Sequence, residues 1–410
     1  MIKKSKVILY LLFLFLLTGC TGAEELNIQA IVTAVGFDKG EDDQILTHFQ
    51  IVYPGGSTAR QGSAPIGGQG NAVYTYTIAA DSMLETVDKA RNLLPRKLFF
   101  PHIQIIIFGE DFARDVGFSY LVDYMERDNE IRDEIMVFTA KEDTAENILS
   151  SYTSLTANPS VGIIDRVNNT FSPMGLMNGI FLEEVIKWTY GERRDPVTMG
   201  IERSNPESES GNKGALDNIY ANQNAFDLTG IPLYKGEYLL DWLSIKESKG
   251  WSLINDRVKK TLLITAPCPE VDNNSTFGFL IKDSKTKKEA TIKGNQVDIA
   301  VSVTGRGILR ELKCDGKVED PAYLNKLKKA INEQMEMYMR QAVVKTKENQ
   351  VDSFGFGQYL YRNNPNGWRQ IEENWDSIYV DSTTITPNVH IDITGVGTRR
   401  KSTHEPDQIQ

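Results

Sequence analysis

The sequence predicts an α+β protein of more than one domain, with mixed sheets and packed helices. Three observations support this fold class. Strands and helices alternate over residues 26–150, a polar stretch interrupts the pattern at Ser204–Gly214, and one unusually long helix begins at Asp320. Such alternation is typical of layered architectures in which helices cover a sheet. A chain of 410 residues with 40% apolar content is also too long for a single hydrophobic core.

The first predicted elements are strands. Leu26–Asp38 is rich in β-branched residues, and Ile45–Tyr53 alternates apolar with polar residues, so both segments are predicted strands. Val73–Ile78 is a third. Pro54–Asn71, between the last two, is rich in Gly, Ser and Gln without periodicity, which indicates a long loop. Apolar residues then recur at helical spacing after Asp81, the predicted N-cap of a helix.

The next segments continue the alternation. Ile103–Phe108 is almost continuously apolar, which predicts a strand buried on both faces. The patterns that follow predict helices at Asp111–Asp115 and Phe118–Arg127, a strand at Glu134–Ala140, helices at Thr144–Ser150 and 177–188, and a closing strand at 196–202.

Ser204–Gly214 has almost no apolar residues and is predicted to be a domain boundary. We therefore predict an N-terminal domain over residues 20–203, a middle domain over 215–285 and a C-terminal domain over 286–398. The middle and C-terminal parts read as strands at Phe226–Tyr238, Lys260–Ala266, Phe277–Lys282, Ala290–Ile292 and Val297–Arg306, with a short helical piece at Gly236–Ser248.

A long helix over residues 320–346 is the strongest single prediction. Asp320 is a suitable N-cap, and Pro321 suits the first helical position. Seven residues at helical spacing form a stripe that should face the core: Leu324, Leu327, Ile331, Met335, Tyr338, Met339 and Ala342. A strand at Val389–Gly395 and a polar tail from Thr398 follow.

The first twenty residues have the organisation of a bacterial lipoprotein signal. Three lysines precede the apolar run Val7–Leu17, which is shorter than the roughly 20 residues that span a bilayer. Leu17-Thr18-Gly19-Cys20 then matches a lipobox. We predict that residues 1–19 are removed as a signal peptide and that Cys20 is acylated, which tethers the chain to a membrane outside the cytoplasm. An ordinary secreted protein or a short N-terminal anchor is the alternative.

The charge excludes one class of partner. Removal of residues 1–19 takes away three of the 45 basic residues and no acid, which leaves 42 basic against 55 acidic residues. Nucleic-acid binding needs a basic face, so it is not expected. The sequence also has no polybasic run for anionic lipid, so the acyl chains are expected to provide the anchoring.

No catalytic, cofactor or metal site is predicted. His48, His102, His390 and His404 are scattered, without the short spacing that metal sites need. His102 precedes a buried strand. It is either a functional residue, as a ligand or a base, or a hydrogen-bonded residue at the edge of a strand.

Two further motifs give no chemistry. Ser284 and Lys287 fit S-x-x-K but have no partner motifs and fall in a lysine-rich segment that reads as a solvated turn. Phe354-Gly355-Phe356-Gly357 lacks the third glycine of a phosphate loop, so close packing explains it better. Cys268 and Cys314 either pair or remain free.

Several segments along the chain match one family in its order: Glu25-Leu26, Ala30–Lys39, Pro101–Glu110, Arg127–Arg132, Val351–Gly357, Tyr361-Arg362, Trp368 and Trp375-Asp376. Through these segments the chain resembles the Ger(x)C family, the lipoprotein C subunits of nutrient germinant receptors in spore-forming bacteria. One departure is Thr21-Gly22-Ala23, because family members often have Trp-Asp directly after the lipidated cysteine.

The resemblance implies three α+β domains, no established catalytic residue, and a place on the extracytoplasmic face of the inner spore membrane beside multi-pass A and B subunits. It therefore implies a non-enzymatic receptor subunit needed for nutrient-triggered germination. A lipoprotein that binds a small nutrient in its own cleft and delivers it to a membrane partner is the alternative. A cell-wall hydrolase would need a catalytic constellation that the residues do not provide.

Overall fold

The structure of the chain is a computed structural model. It describes residues 28–396 except 43, 53–72, 129, 133, 152–157, 170–174, 176–178, 192, 205–225, 259–261, 270–274 and 315. Cys20 and the whole predicted signal peptide lie outside the described residues, as do the whole predicted loop Pro54–Asn71 and the polar tail.

The described residues contain both strands and helices, which alternate in parts of the chain and follow in runs of one kind in others. The strands are β1 (Gln29–Lys39), β2 (Ile45–Val52), β3 (Val73–Ala80), β4 (Lys97–Phe99), β5 (Ile105–Phe108), β6 (Met136–Ala140), β7 (Met199–Arg203), β8 (Phe226–Thr229), β9 (Pro232–Lys235), β10 (Tyr238–Trp242), β11 (Leu263–Pro267), β12 (Thr276–Lys293), β13 (Gln296–Leu312) and β14 (Thr383–Gly395). The helices are α1 (Met83–Leu93), α2 (Glu110–Asp115), α3 (Ser119–Arg127), α4 (Ala145–Leu149), α5 (Pro159–Asn169), α6 (Leu182–Tyr190), α7 (Ile245–Ile254), α8 (Pro321–Glu348), α9 (Phe356–Asn363), α10 (Pro365–Trp368) and α11 (Trp375–Asp381).

The first sheet is mixed and has the order β3-β2-β1-β5-β6-β7-β8, with β4 paired to the first residues of β1. β1, β5, β6 and β7 run parallel, whereas β2 and β8 are antiparallel to their neighbours. The four residues of β5 are fully buried, which confirms the strand predicted there. β8 joins this sheet from the far side of residues 205–225, so the sheet draws on both sides of the predicted domain boundary.

The predicted helical piece Gly236–Ser248 is wrong in its first half. Tyr238–Trp242 is strand β10, which pairs antiparallel with β9 through a tight turn at Gly236, where φ is +61°. The helix starts only after Ser244, whose side chain accepts from the Glu247 amide in a capping box. Pairing with β9 overrides the local helical pattern, and only the capping residues mark the true start. Two smaller corrections concern helix bounds. Helix α1 is capped by Ser82 rather than Asp81, and α6 covers Leu182–Tyr190, whereas a helix was predicted over residues 177–188.

The second large sheet has the order β11-β12-β13-β14, and helix α8 packs against it. The short strands predicted after Phe277 are in fact two strands of 18 and 17 residues, joined at Gly294. The lysine-rich segment around Ser284 therefore lies in β12 and is not a turn. Its less exposed side chains, Ser284, Thr286 and Lys288, are polar like the exposed ones between them, so the segment has no apolar and polar alternation to indicate a strand.

Helix α8 confirms its prediction. Its N-cap is Asp320, which accepts from the Ala322 amide at 2.9 Å, and Pro321 stands at the start. The stripe from Leu327 to Ala342 is buried, although Leu324 is only half-buried. Two polar side chains of the same helix cover the free edge of β14: Glu336 accepts from the Val389 amide at 3.1 Å, and Asn332 accepts from the Ile391 amide at 3.0 Å. Edge strands left uncovered invite aggregation.

Cys268 and Cys314 form a disulfide with a Cα–Cα distance of 5.5 Å. The bond joins the residue after β11 to the segment after β13, and so closes the end of the second sheet. Among the described residues, no helix combines the length and the apolarity that a bilayer-spanning segment needs.

Candidate functional site: the buried junction around Asp352

The residues that the sequence singled out do not converge. His102 is exposed, and its ring centroid lies 5.5 Å from that of Phe99. Ser284 is buried and donates to the Val258 carbonyl, whereas Lys287 points to solvent and pairs with Glu289 at 2.6 Å. Within the described part of the chain, no group of three or more His, Cys, Asp or Glu residues could hold a metal ion. Ser284 and Lys287 therefore have different partners and do not come together as a pair.

A buried polar chain in the first sheet has a structural role. The carboxylate of Asp38 accepts from the Ala145 and Glu146 amides at 2.8 and 3.0 Å, at the start of α4. His48, fully buried, places Nε2 2.9 Å from Asp38 and Nδ1 2.8 Å from the Thr77 hydroxyl. These contacts fix α4 against β1 and β2; Asp38 and His48 are buried, and Thr77 at the end of the chain of contacts is exposed.

The densest set of charged contacts lies instead around Asp352, in the turn between α8 and α9. This side chain is 2% exposed. Its carboxylate accepts from the backbone amides of Phe356 and Gly357, at 3.0 and 2.7 Å, and from the indole Nε1 of Trp375 at 3.1 Å. Burial raises the pKa of Asp352, and the three donors oppose that rise. The carboxylate thus organises the turn.

The two glycines of this turn are required by close packing. Gly355 has φ +68°, and a Cβ there would lie 2.9 Å from Cδ of Arg194. A Cβ on Gly357 would lie 2.8 Å from the indole nitrogen of Trp375 and 3.0 Å from the ring of Trp368. The prediction that packing explains Phe354-Gly355-Phe356-Gly357 is confirmed.

The turn binds a segment of the N-terminal half. The Asp195 amide donates to the Asp352 carbonyl at 3.2 Å, and the Asp352 amide donates back to the Asp195 carboxylate at 2.8 Å. The Gln358 amide donates to the Arg193 carbonyl at 3.0 Å. The guanidinium of Arg194 stacks 4.2 Å from the ring centroid of Trp188. Segments more than 150 residues apart are thereby joined at backbone level.

A lysine from the β9–β10 hairpin completes this contact. Lys235 Nζ lies 3.3 Å from the Asp195 carboxylate and 2.9 Å from that of Asp376, and it donates to the Gln350 carbonyl at 3.0 Å. Burial raises the pKa of Asp195 to about 6 in spite of this cation. The N-terminal half, the hairpin and the C-terminal helices therefore meet in one ion-paired cluster.

Strand β12 contributes a second lysine. Lys288 Nζ donates to the Phe354 carbonyl at 3.0 Å and lies 5.1 Å from the Phe356 ring centroid. Burial, with the nearby Arg194 cation as a second cause, lowers the pKa of Lys288 to about 7. From α7, the indole of Trp251 donates to the Ser353 hydroxyl at 3.1 Å.

These contacts determine what the junction can do. Perturbed pKa values often mark catalytic sites, but structural ion-pair networks perturb them as well. Here the charged side chains bind one another and the backbone of the turn. A groove of about 410 Å³ lies elsewhere, between α7 and α8, and is lined by residues such as Met337, Arg340 and Val344. The charged residues around Asp352 and the residues that line this groove are different. The junction is therefore better suited to holding parts of the chain in one orientation than to chemistry.

The sequence pattern missed most of this cluster. The segment Val351–Gly357 stood out through the family resemblance and the glycines of its last four residues. Four charged residues carried no signal of their own: Arg194, Asp195, Lys235 and Lys288. An isolated charge in a strand or loop reads as solvated. Only the long-range pairing of segments shows that these four are partly buried at one junction.

Comparison with known proteins assigns the chain to a family. A family model described as "Spore germination protein N-terminal domain" matches residues 22–203, and one described as "Spore germination B3/ GerAC like, C-terminal" matches residues 229–397. Among curated proteins of Bacillus subtilis (strain 168), "Spore germination protein KC" is 27% identical over 400 residues, covering 96% of this chain and 94% of that protein. "Spore germination protein B3" of the same organism is 20% identical over 383 residues, covering 92% and 94% respectively.

A solved structure agrees with the fold. The crystal structure of the GerBC protein matches with a TM-score of 0.54 and 17% identity, covering 91% of this chain and all of that one. At this identity the likeness speaks for the architecture, a multi-domain α+β fold. The two family models and the curated relatives supply the rest: the chain belongs to the Ger(x)C family and has a role in spore germination.

Proposed function

We propose that this chain is a non-enzymatic subunit of a spore germinant receptor, tethered to the inner spore membrane by lipid on Cys20 and acting through contacts with multi-pass membrane subunits. The observation that carries the proposal is the junction around Asp352. Its charged groups are used to join the N-terminal half to the C-terminal helices, which is what a rigid contact module requires. Membership of a spore germination family supports the setting.

The tether explains how a modest interface would suffice. Acylation of Cys20 would confine the protein to a thin layer beside its partners, which raises the effective concentration of a weak binder. Two or more acyl chains hold a protein on a bilayer where a single chain does not. The lipobox Leu17-Thr18-Gly19-Cys20 supports this step.

We also propose that residues 20–203, 215–285 and 286–398 act as domains. The junction would then be the contact that fixes their relative orientation, since it links Asp195, Lys235 and Asp352, one from each range. The pairing of β7 with β8 adds a second connection between the first two ranges.

The second candidate function is capture of a small nutrient. The groove between α7 and α8 favours it, because exposed Met337 and Val344 lie there beside Arg340 and Lys345. Isothermal titration of the purified chain with amino acids, sugars and nucleosides separates the two proposals. Saturable heat that disappears in a Val344→Glu variant would favour capture.

The proposed function is tested in spores that carry Cys20→Ala in place of the wild-type chain. We expect the variant to be lost from the membrane fraction or kept as unprocessed precursor, and nutrient-triggered germination to fail while a nutrient-independent trigger still works. His102→Gln is the matched control, because that exposed side chain serves no contact that we assign to function. Normal germination with Cys20→Ala, or failure with a folded His102→Gln, would contradict the proposal.

A further inference from the structure

We propose that the end of the first sheet at which β1 begins is a membrane-contact face that lies on anionic phospholipid headgroups. We call it the basal face and define it by Ile28, Arg91, Leu93, Arg96 and Lys97. It rests on the proposed lipid tether, and it adds an orientation: one particular end of the protein is turned toward the bilayer.

The topology brings these residues together. β4 pairs parallel with the first residues of β1, with Gln29 opposite Lys97, so Ile28 and Arg96 are neighbours in the same register. β3 runs parallel to β1 by way of β2, and α1 then returns from the end of β3 to the start of β4. Leu93, in the last turn of α1, is therefore at the same end of the sheet as Ile28.

Two large apolar side chains are exposed on this face. Ile28 is 52% exposed and Leu93 is 57% exposed. Tyr74, at the start of β3 and so at the same end, is 41% exposed. Apolar and aromatic side chains beside basic ones form the composition of surfaces that lie in the headgroup region of a bilayer.

The basal face carries three basic residues close together in a chain that is acidic as a whole. Residues 90–104 contain Arg91, Arg96 and Lys97 but no carboxylate; the acids nearest to them are Asp88, whose carboxylate lies 4.0 Å from Arg91, and Glu24 and Glu25, which precede Ile28 in the sequence. At the opposite end, the turns after β1 and β3 carry Glu41 and Asp81. The end where β1 begins is therefore the less repelled of the two by an anionic surface, and Arg96 and Lys97 are the basic residues that such a surface would meet there.

The basal face does not extend over the whole end of the first sheet. The segment between α3 and β6, which lies beyond β5 at the same end of the sheet, carries Asp128, Glu130 and Glu134. These acids oppose contact there, so the bilayer meets the protein on the side formed by α1, β4 and β1.

The chain before β1 fits the same orientation. Eight residue steps separate the predicted acylation site Cys20 from Ile28, and a fully extended chain gains at most about 3.4 Å per step, or about 27 Å in total. The basal face therefore cannot move far from the bilayer. Three basic residues are fewer than the four to eight that bind a membrane by themselves, so they orient a protein that the lipid already holds.

Helix α1 offers a matched pair of probe positions. Leu84 is 72% exposed near its start and Leu93 is 57% exposed near its end, about 14 Å apart along the helix axis. A fluorophore would be attached in Leu93→Cys or Leu84→Cys of the acylated full chain, whose native cysteines are occupied by the lipid and by the disulfide. The labelled proteins would be placed on phosphatidylglycerol-containing vesicles with a headgroup quencher.

We expect strong quenching at position 93, little at position 84, and loss of this difference in a variant that also carries Arg96→Glu and Lys97→Glu. Equal quenching at both positions, or stronger quenching at position 84, would overturn the basal face while leaving the tether intact. Failure of the acylated chain to float with vesicles at all would overturn the tether itself, and the basal face with it.

Discussion

The substitution Asp352→Asn tests the junction where its structure is most specific. An amide has one acceptor oxygen, whereas the carboxylate accepts from the Phe356 amide on one oxygen and from the Gly357 amide and the Trp375 indole on the other. Whichever way the new side chain turns, its NH₂ group faces at least one buried N–H donor. The one or two donors that still face the amide oxygen also lose a charged acceptor.

The cost follows from these contacts. One buried donor left without a partner costs about 1–3 kcal/mol, and hydrogen bonds to a neutral acceptor are weaker by about 1 kcal/mol each. Burial disfavours the charged form of Asp352 and so raises its pKa. A neutral amide avoids this cost, which offsets part of the loss. We therefore expect the free energy of unfolding to fall by about 2–4 kcal/mol.

Urea unfolding of the purified chain, followed by tryptophan fluorescence, measures the effect. The midpoint should fall while the dependence of the free energy on urea stays constant. Asp376→Asn is the matched control in the same cluster: its side chain is 58% exposed and pairs only with Lys235 among the ion pairs that we describe, so a loss of less than about 1 kcal/mol is expected. Equal midpoints for wild type and Asp352→Asn would refute the account of the junction.

Three further substitutions test neighbouring claims. Burial lowers the pKa of Lys288 to about 7, so above that pH the unfolded state binds more protons than the folded state. The free energy of unfolding should therefore rise by up to about 1.4 kcal/mol per pH unit from pH 7 toward 9. Lys288→Met should remove that rise when its unfolding is measured over the same pH range. Ile331→Asp places a carboxyl on the fully buried stripe of α8 and should cost about 3–5 kcal/mol, so an unchanged melting curve would mean that the stripe does not face the core. Joint replacement of Cys268 and Cys314 by Ala opens the loop that they close and should cost about 2–5 kcal/mol in denaturant unfolding, so equal stability of the variant and wild type would show that the bond is dispensable.

Local signals were sufficient for part of the fold. The cap at Asp320, the first-turn Pro321 and the stripe through Ile331 lie within one helix, so the sequence alone predicts α8. The apolar run Ile105–Phe108 is equally direct, because a strand covered on both faces needs no alternation. In both cases the determining contacts are made by neighbouring residues or by the core as a whole.

Non-local pairing explains the errors. Tyr238–Trp242 is a strand because β9 pairs with it, and the segment around Ser284 is a strand because β13 continues beside it for its whole length. The candidate site was harder still. Asp195 and Asp352 exchange backbone and side-chain hydrogen bonds across 157 residues of sequence, and no periodicity reports such a contact.

The central claim, that this chain works by contact with membrane subunits, is tested most directly by co-isolation from spores. The chain would carry a C-terminal tag, spore membranes would be solubilised in mild detergent, and the captured proteins would be identified by mass spectrometry. The account predicts that two multi-pass germination proteins are recovered with the wild-type chain in constant ratio, and that their recovery falls with Cys20→Ala. Recovery of the wild-type chain without any multi-pass partner, from spores that germinate normally, would contradict it.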